Sequence, residues 1–247
     1  AQAQVPPIFN FSSWSLDSGM ALTNGAVYRF ANVASGIDAK VKITAISAGI
    51  TLRNIDRTID GYGEAFQPEY RINSNTNGYI EFQIRFVNAG GNTTSPRPIV
   101  AASGLDIDGS PSGGTSLKEF NRIDMGGGSY EFNTYKSEIT VSQTGTAFTG
   151  SNYTGNLYGA LVDTAAKEVM YTVTHTNVGT MTFRVGSNNQ TSGSSTRYAS
   201  LYYKKFVYQH FPLAISGLMS FDAVAVSNKV KLNWELAADK YSKVVLD

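Results

Sequence analysis

The chain of 247 residues carries 20 Lys and Arg against 19 Asp and Glu, a net charge of +1, with no Cys, 24 Gly, 14 Tyr and 13 Phe. Near-balanced charge removes the electrostatic case for nucleic acid or an anionic membrane surface, and the missing cysteines exclude disulfides, thiolate nucleophiles, zinc–thiolate sites and iron–sulfur clusters. With only 16% of residues charged, polarity comes from Ser, Thr, Asn, Gln and Gly, a blend that suits strands and turns over helices.

Ala1-Gln2-Ala3-Gln4 reads as the small-residue tail of a cleaved secretory signal, which suggests export. Short alternating runs between turn residues then recur along the chain. Asn24-Gly25 precedes Ala26–Phe30, and Ala39–Ile46 alternates Ala39, Val41, Ile43 and Ala45 with Lys40, Lys42 and Thr44. The clearest strand follows the Asn77-Gly78 turn: Ile80, Phe82, Ile84 and Phe86 share one face, with Glu81, Gln83 and Arg85 on the other. Further strands are expected at Ile99–Ile107, Glu119–Met125, Tyr130–Tyr135, Ser137–Gln143, Leu157–Val162, Glu168–His175, Thr180–Val185 and Leu201–Phe206. Asp163–Val169 offers one helical turn at most, and Gly186–Thr196 (GSNNQTSGSST) reads as an exposed flexible loop. No apolar run approaches the roughly 18 residues of a membrane span.

About ten strands in roughly 200 residues predict an all-β, jelly-roll-like antiparallel sandwich of two sheets. Near Phe211-Pro212 the aromatic run gives way to small aliphatics, dividing the chain into residues 1–211 and 212–247. The second part holds strands Met219–Val226 and Lys229–Leu236, the beginning of a second small β-sandwich; roughly 36 residues cannot bury a sandwich core, so it is incomplete or docked on the first.

Two stretches resemble known families. Leu213–Phe221 (LAISGLMSF) followed by Val230–Glu235 (VKLNWE) is similar to the start of the fibronectin-type module near the C-termini of Bacteroidetes proteins exported by the type nine secretion system. Gly25–Ile43, Asp60–Tyr70, Gly78–Val87, Leu105–Gly109 and Lys118–Gly128 resemble an N-terminal module of Bacteroidetes surface and adhesin-like proteins. The resemblance implies an extracellular or cell-surface location, with the type nine machinery as partner during export.

Asp106 and Asp108 at a strand end, with Gly109 beyond and Glu119 about ten residues on, place carboxylates at alternate positions where they share one hard cation, calcium being the expected ion. The alternative is an Asx-type turn facing water. Asp56 and Asp60, with Asp38 and Glu64, sit among Arg53 and Arg57 and read as local ion pairs ahead of a metal or a catalytic pair. Tyr153, Tyr158 and Tyr198 are candidate ligand-binding rings, because flat sugar faces stack on Tyr while Asn, Asp and Gln bond the hydroxyls; the alternative is ordinary strand packing. Trp14 and Trp234 read as packing residues, and Asp163-Thr164-Ala165 resembles the O-glycosylation motif of exported Bacteroidetes proteins, with Thr164 as acceptor.

The two histidines, His175 and His210, sit in no nucleophile, zincin, phosphate-loop or dinucleotide motif. The sequence therefore reads as a secreted or cell-surface, non-enzymatic adhesion module, calcium-stabilised, binding an extracellular glycan, a surface protein or itself. The alternatives are a carbohydrate-binding module or polysaccharide-active enzyme component, and a structural subunit of a surface filament or layer.

Overall fold

Alternation along these runs becomes inward and outward faces once the strands pair. A computed structural model describes residues 5–112, 114–159 and 162–210, and the backbone of residues 218–226 and 229–236; the side chains of residues 60 and 112 are not described. The Ala1–Gln4 segment, the Phe211-Pro212 junction and the packing of Trp234 lie outside the described residues.

The chain divides into two compact units, Ala1–Gln209 and His210–Asp247. The first begins with β1 Trp14–Ser18, β2 Val27–Ala34, β3 Ile37–Ile46, β4 Ile50–Asn54, β5 Glu69–Ile72 and β6 Thr76–Asn88. It continues with β7 Arg97–Leu105, β8 Gly109–Ser112, β9 Thr115–Asp124, β10 Ser129–Phe132 and β11 Ile139–Thr144. The last strands of the unit are β12 Ala147–Asn152, β13 Tyr171–Val178, β14 Thr180–Asn189, β15 Ser195–Tyr198 and β16 Ser200–Tyr202. Of the second unit, β17 Leu218–Val226 and β18 Lys229–Leu236 form an antiparallel pair. No described helix is long and apolar enough to cross a membrane.

The architecture is all-β, antiparallel sheets stacked as a sandwich and not closed into a barrel. The larger layer is a nine-stranded sheet in the order β1-β2-β3-β6-β14-β9-β12-β11, with β8 sharing the β12 side of β9. Opposite it lie a four-stranded sheet, β10-β13-β7-β16, and a three-stranded sheet, β15-β5-β4. Residues 195–202 stitch these two together: β15 pairs with β5, then β16 pairs with β7, and a bridge between Phe66 and Leu201 closes the gap. Phe66 fills the centre, edge-on to Phe82 at 5.2 Å and to Phe30 at 5.7 Å. Burial of this aromatic and aliphatic area is the main term holding the layers together.

Three expectations are corrected. Of Leu157–Val162, the described residues 157–159 and 162 form no strand; the segment is pinned instead to the β7–β8 connection, where Gly109 N donates to Asn156 O at 2.7 Å and Tyr158 N to Asp108 Oδ2 at 2.7 Å. The ladder expected from Glu168 starts at Tyr171, after a 3-10 turn at Lys167–Val169. Only residues 190–194 of Gly186–Thr196 form a loop, with Gln190, Ser192, Gly193 and Ser194 exposed: β14 runs to Asn189, β15 starts at Ser195, and Ser187, Asn189 and Thr191 are buried. Polar side chains tolerate burial when their bonds are made, and the Asn189 amide donates to Asn73 O and Gly193 O, both at 2.9 Å.

Candidate functional site

Strict alternation on β9 turns Leu117, Glu119, Asn121 and Ile123 inward, so a carboxylate and an amide enter the space between the layers. Across β9 and β14, Glu119 is paired with Ser187; in the facing layer, Arg197 of β15 is paired with Tyr70 of β5. These two cross-strand pairs meet. Arg197 Nε donates to Glu119 Oε1 at 2.8 Å, and the Tyr70 hydroxyl lies 3.2 Å from the same oxygen and 2.6 Å from Ser187 Oγ. Arg197 Nη2 also donates to Asp108 Oδ1, whose second oxygen accepts Tyr158 N.

Three carboxyls thus surround one guanidinium. Burial, then the neighbouring Glu119, pushes Asp106 up to about 7 and Asp108 up to about 8, while Arg197 pulls both down. Burial acts against the Arg197 charge, but Glu119 and Asp108 outweigh it and hold the guanidinium protonated beyond its usual range. Asp106, Asp108, Arg197 and Tyr198 line a small cavity of about 170 Å³.

The carboxylates named for calcium sit around Arg197. β7 ends at Leu105, and Asp106 adopts a left-handed backbone with φ of 60°, which breaks the strand alternation between Asp106 and Asp108. Asp108 and Glu119 are turned onto Arg197, and among the described residues no group of three or more His, Asp or Glu forms a metal-holding set.

The three candidate tyrosines sit in different settings. The Tyr153 hydroxyl donates to Ser137 O at 2.6 Å and that of Tyr158 to Glu138 Oε1 at 2.8 Å, which ties the loop after β12 to the start of β11. Tyr198 lies under the Arg57 guanidinium, 4.9 Å from the ring centre. Thr164 Oγ1 is 3.0 Å from the Tyr62 hydroxyl. His175 sits on β13 opposite Val100. Among the acids near Arg53 and Arg57, Asp38 pairs with Arg29 at 2.8 Å and Glu69 with Arg57 at 3.1 Å. Asp56 departs from the local ion-pair expectation: it is buried, Oδ1 accepts Gln67 N at 2.7 Å, and Oδ2 has no hydrogen-bond partner among the described residues. Burial lifts its carboxyl to about 7.

The outward face of the large sheet carries the arrangement that sequence reading missed. Strand register sets three side-by-side rows across it. Asn77, Asn188 and Lys118 form one; Tyr79, Gly186, Phe120 and Ser151 the next; Glu81, Arg184, Arg122 and Thr149 the third. Asn77, Tyr79, Lys118, Phe120, Ser151 and Asn188 of these rows line a hollow of about 420 Å³, within the range of ligand sites. Arg184 stacks on Tyr79 at 4.1 Å and is bonded to Glu81 at 3.0 and 2.6 Å. The amides of Asn77 and Asn188 make no hydrogen bond to described residues. Tyr79 and Phe120 were legible as outward strand residues, but only the register of three strands separated in sequence makes them neighbours.

Fold and face together define a layered β-sandwich with an open, aromatic and amide-lined sheet surface. No protein-family model and no curated protein matches the chain. Among solved structures it is similar to the N-terminal domain of the Streptococcus gordonii adhesin Sgo0707, with a TM-score of 0.49 and 11% identity over 82% of this chain and 63% of that one. It is also similar to the glucan-binding protein C of Streptococcus mutans, with a TM-score of 0.43 and 12% identity over 77% of this chain and 60% of that one. A third similarity is to the adhesin domain of PrgB from Enterococcus faecalis bound to DNA, with a TM-score of 0.39 and 12% identity over 74% and 69%. The chain spans less than two thirds of the length of the first two.

Proposed function

We propose that the chain is a non-catalytic adhesion module exposed at a bacterial cell surface, binding its partner on the outward face of the nine-stranded sheet. The observation that carries this reading is the middle row, Tyr79-Gly186-Phe120-Ser151, which presents half-exposed rings beside the Asn77 and Asn188 amides, neither of which bonds a described residue. The low charge and the fibronectin-type tail support an exported location and passage through the type nine machinery. The buried acids and Arg197 serve to join the layers, not to turn over a substrate. A polysaccharide-active component is the second reading, since the same hollow suits a sugar.

The experiment is retention of the full chain on immobilised starch, dextran, laminarin, heparin, collagen and fibrinogen, with reducing ends released from each glycan measured in parallel. The adhesion reading expects retention without release. Release of reducing ends from any glycan would overturn it in favour of the second.

A further inference from the structure

We infer that the hollow lined by Tyr79 and Phe120 is a subsite for one ring of a neutral glycan, with these rings as its stacking walls and Asn77 and Asn188 as its hydroxyl readers; this rests on the adhesion reading above. Gly186 fixes where the Phe120 wall lies. It stands opposite Tyr79 on one side and Phe120 on the other, and a Cβ there would lie 2.2 Å from Gly78 O and 2.7 Å from Phe120 Cζ. Only a residue without a side chain lets the Phe120 ring lie across β14. The Tyr79 ring is held in place by Arg184 stacked on it, and Arg184 is held by Glu81. Little ordering entropy is then left to lose when a ligand arrives.

The lining chemistry selects the ligand class. An amide offers both donors and an acceptor, and so does a hydroxyl. Asn77 and Asn188, directly paired across β6 and β14 and without internal partners, match a ligand that gives and takes hydrogen bonds at adjacent positions, as a sugar's hydroxyls do. The apolar face of a pyranose matches the two rings. Charge argues against polyanions. Arg184 is bonded to Glu81, and Arg122 lies 3.6 Å from Asp124 and 4.0 Å from Glu81. Lys118 donates to the Tyr153 carbonyl at 2.7 Å, leaving one ammonium in the hollow where a phosphate backbone needs several cations.

The test is affinity electrophoresis of the full chain through gels containing starch, dextran, laminarin or xyloglucan, with heparin and a 20-nucleotide poly-dT strand as anionic probes. Retardation by at least one neutral polysaccharide is expected, weakened about tenfold or more by Tyr79→Ala and by Phe120→Ala, and kept by Tyr79→Phe. Asn188→Ala carries the same test if Phe120→Ala fails to fold. Neutral-glycan binding untouched by Tyr79→Ala and Asn188→Ala would overturn the location. Binding to heparin or poly-dT in preference to every neutral glycan would overturn the ligand class. Retention on collagen or fibrinogen with none on any neutral glycan would overturn the inference while leaving the adhesion reading in place.

Discussion

Arg197 Nε and Glu119 Oε1 lie 2.8 Å apart and connect the two layers of the sandwich through its interior, β15 of one layer to β9 of the other. Both side chains are nearly withdrawn from water, at 12% and 4% exposure. Taking one partner away leaves the other charge buried without compensation, which costs more than the intact pair contributes.

Arg197→Met is accordingly expected to destabilise the first unit by about 3–5 kcal/mol, read from urea unfolding. Combining it with Glu119→Gln should restore part of the loss, because the orphaned carboxylate goes with it. A single variant within about 1 kcal/mol of the parent would show that the pair does not bind the layers.

The Asp56 carboxyl makes stability depend on pH. Its folded value of about 7 stands above that of an ordinary carboxyl, so between about pH 4 and pH 7 the folded state holds a proton the unfolded state has lost. Its contribution is complete below that window and disappears as pH rises through it. Asp106, raised to about 7 by burial and Glu119, adds to the same slope. Unfolding midpoints at pH 5 and pH 8 should differ less in Asp56→Asn than in the parent; an unchanged difference would remove Asp56 from the account.

Gly109 and Gly186 are closed to any side chain. At Gly109 a Cβ would meet the Gly155 backbone at 2.5 Å, and at Gly186 the Gly78 carbonyl at 2.2 Å. Alanine at either position should cost about 1–3 kcal/mol by forcing backbone apart, measured as a fall in thermal midpoint. Gly36→Ala meets nothing within 4 Å but carries a φ of +71°, so its cost is the backbone's alone and should be smaller.

Calcium at millimolar concentration is expected to leave the thermal midpoint unchanged, since Asp108 and Glu119 face Arg197. A saturable rise would show that these carboxylates leave the guanidinium for the ion.

Asn189→Ala should lower stability by about 1 kcal/mol, because the buried Asn189 amide donates to Asn73 O and Gly193 O and its oxygen accepts from Thr191. Urea unfolding of the variant checks this, and a neutral result would mean water takes the place of the amide.

Much of the strand content was legible because period-two alternation is a local property. β3, β6 and β9 show it over long runs. β4 and β5 alternate over too few residues to stand out, β15 does not alternate, and its pairing with β5 joins segments more than a hundred residues apart. Glu119 was legible in a second way that reading by motif passed over: it occupies a core-facing position between Leu117 and Asn121 in an alternating strand, which demands a buried partner. That the partner is Arg197, 78 positions on, appears only when β5 and β15 are laid over β9 and β14.

Composition and alternation by themselves determined that this chain builds antiparallel sheets, which faces turn inward, and that cysteine chemistry has no place in it. The tertiary structure alone decided which carboxylates face a guanidinium and which rings face each other across a glycine. The reason is physical: the periodicity of a strand is written in neighbouring residues, whereas Tyr79, Phe120 and Gly186 become one surface only through the register of three separate strands.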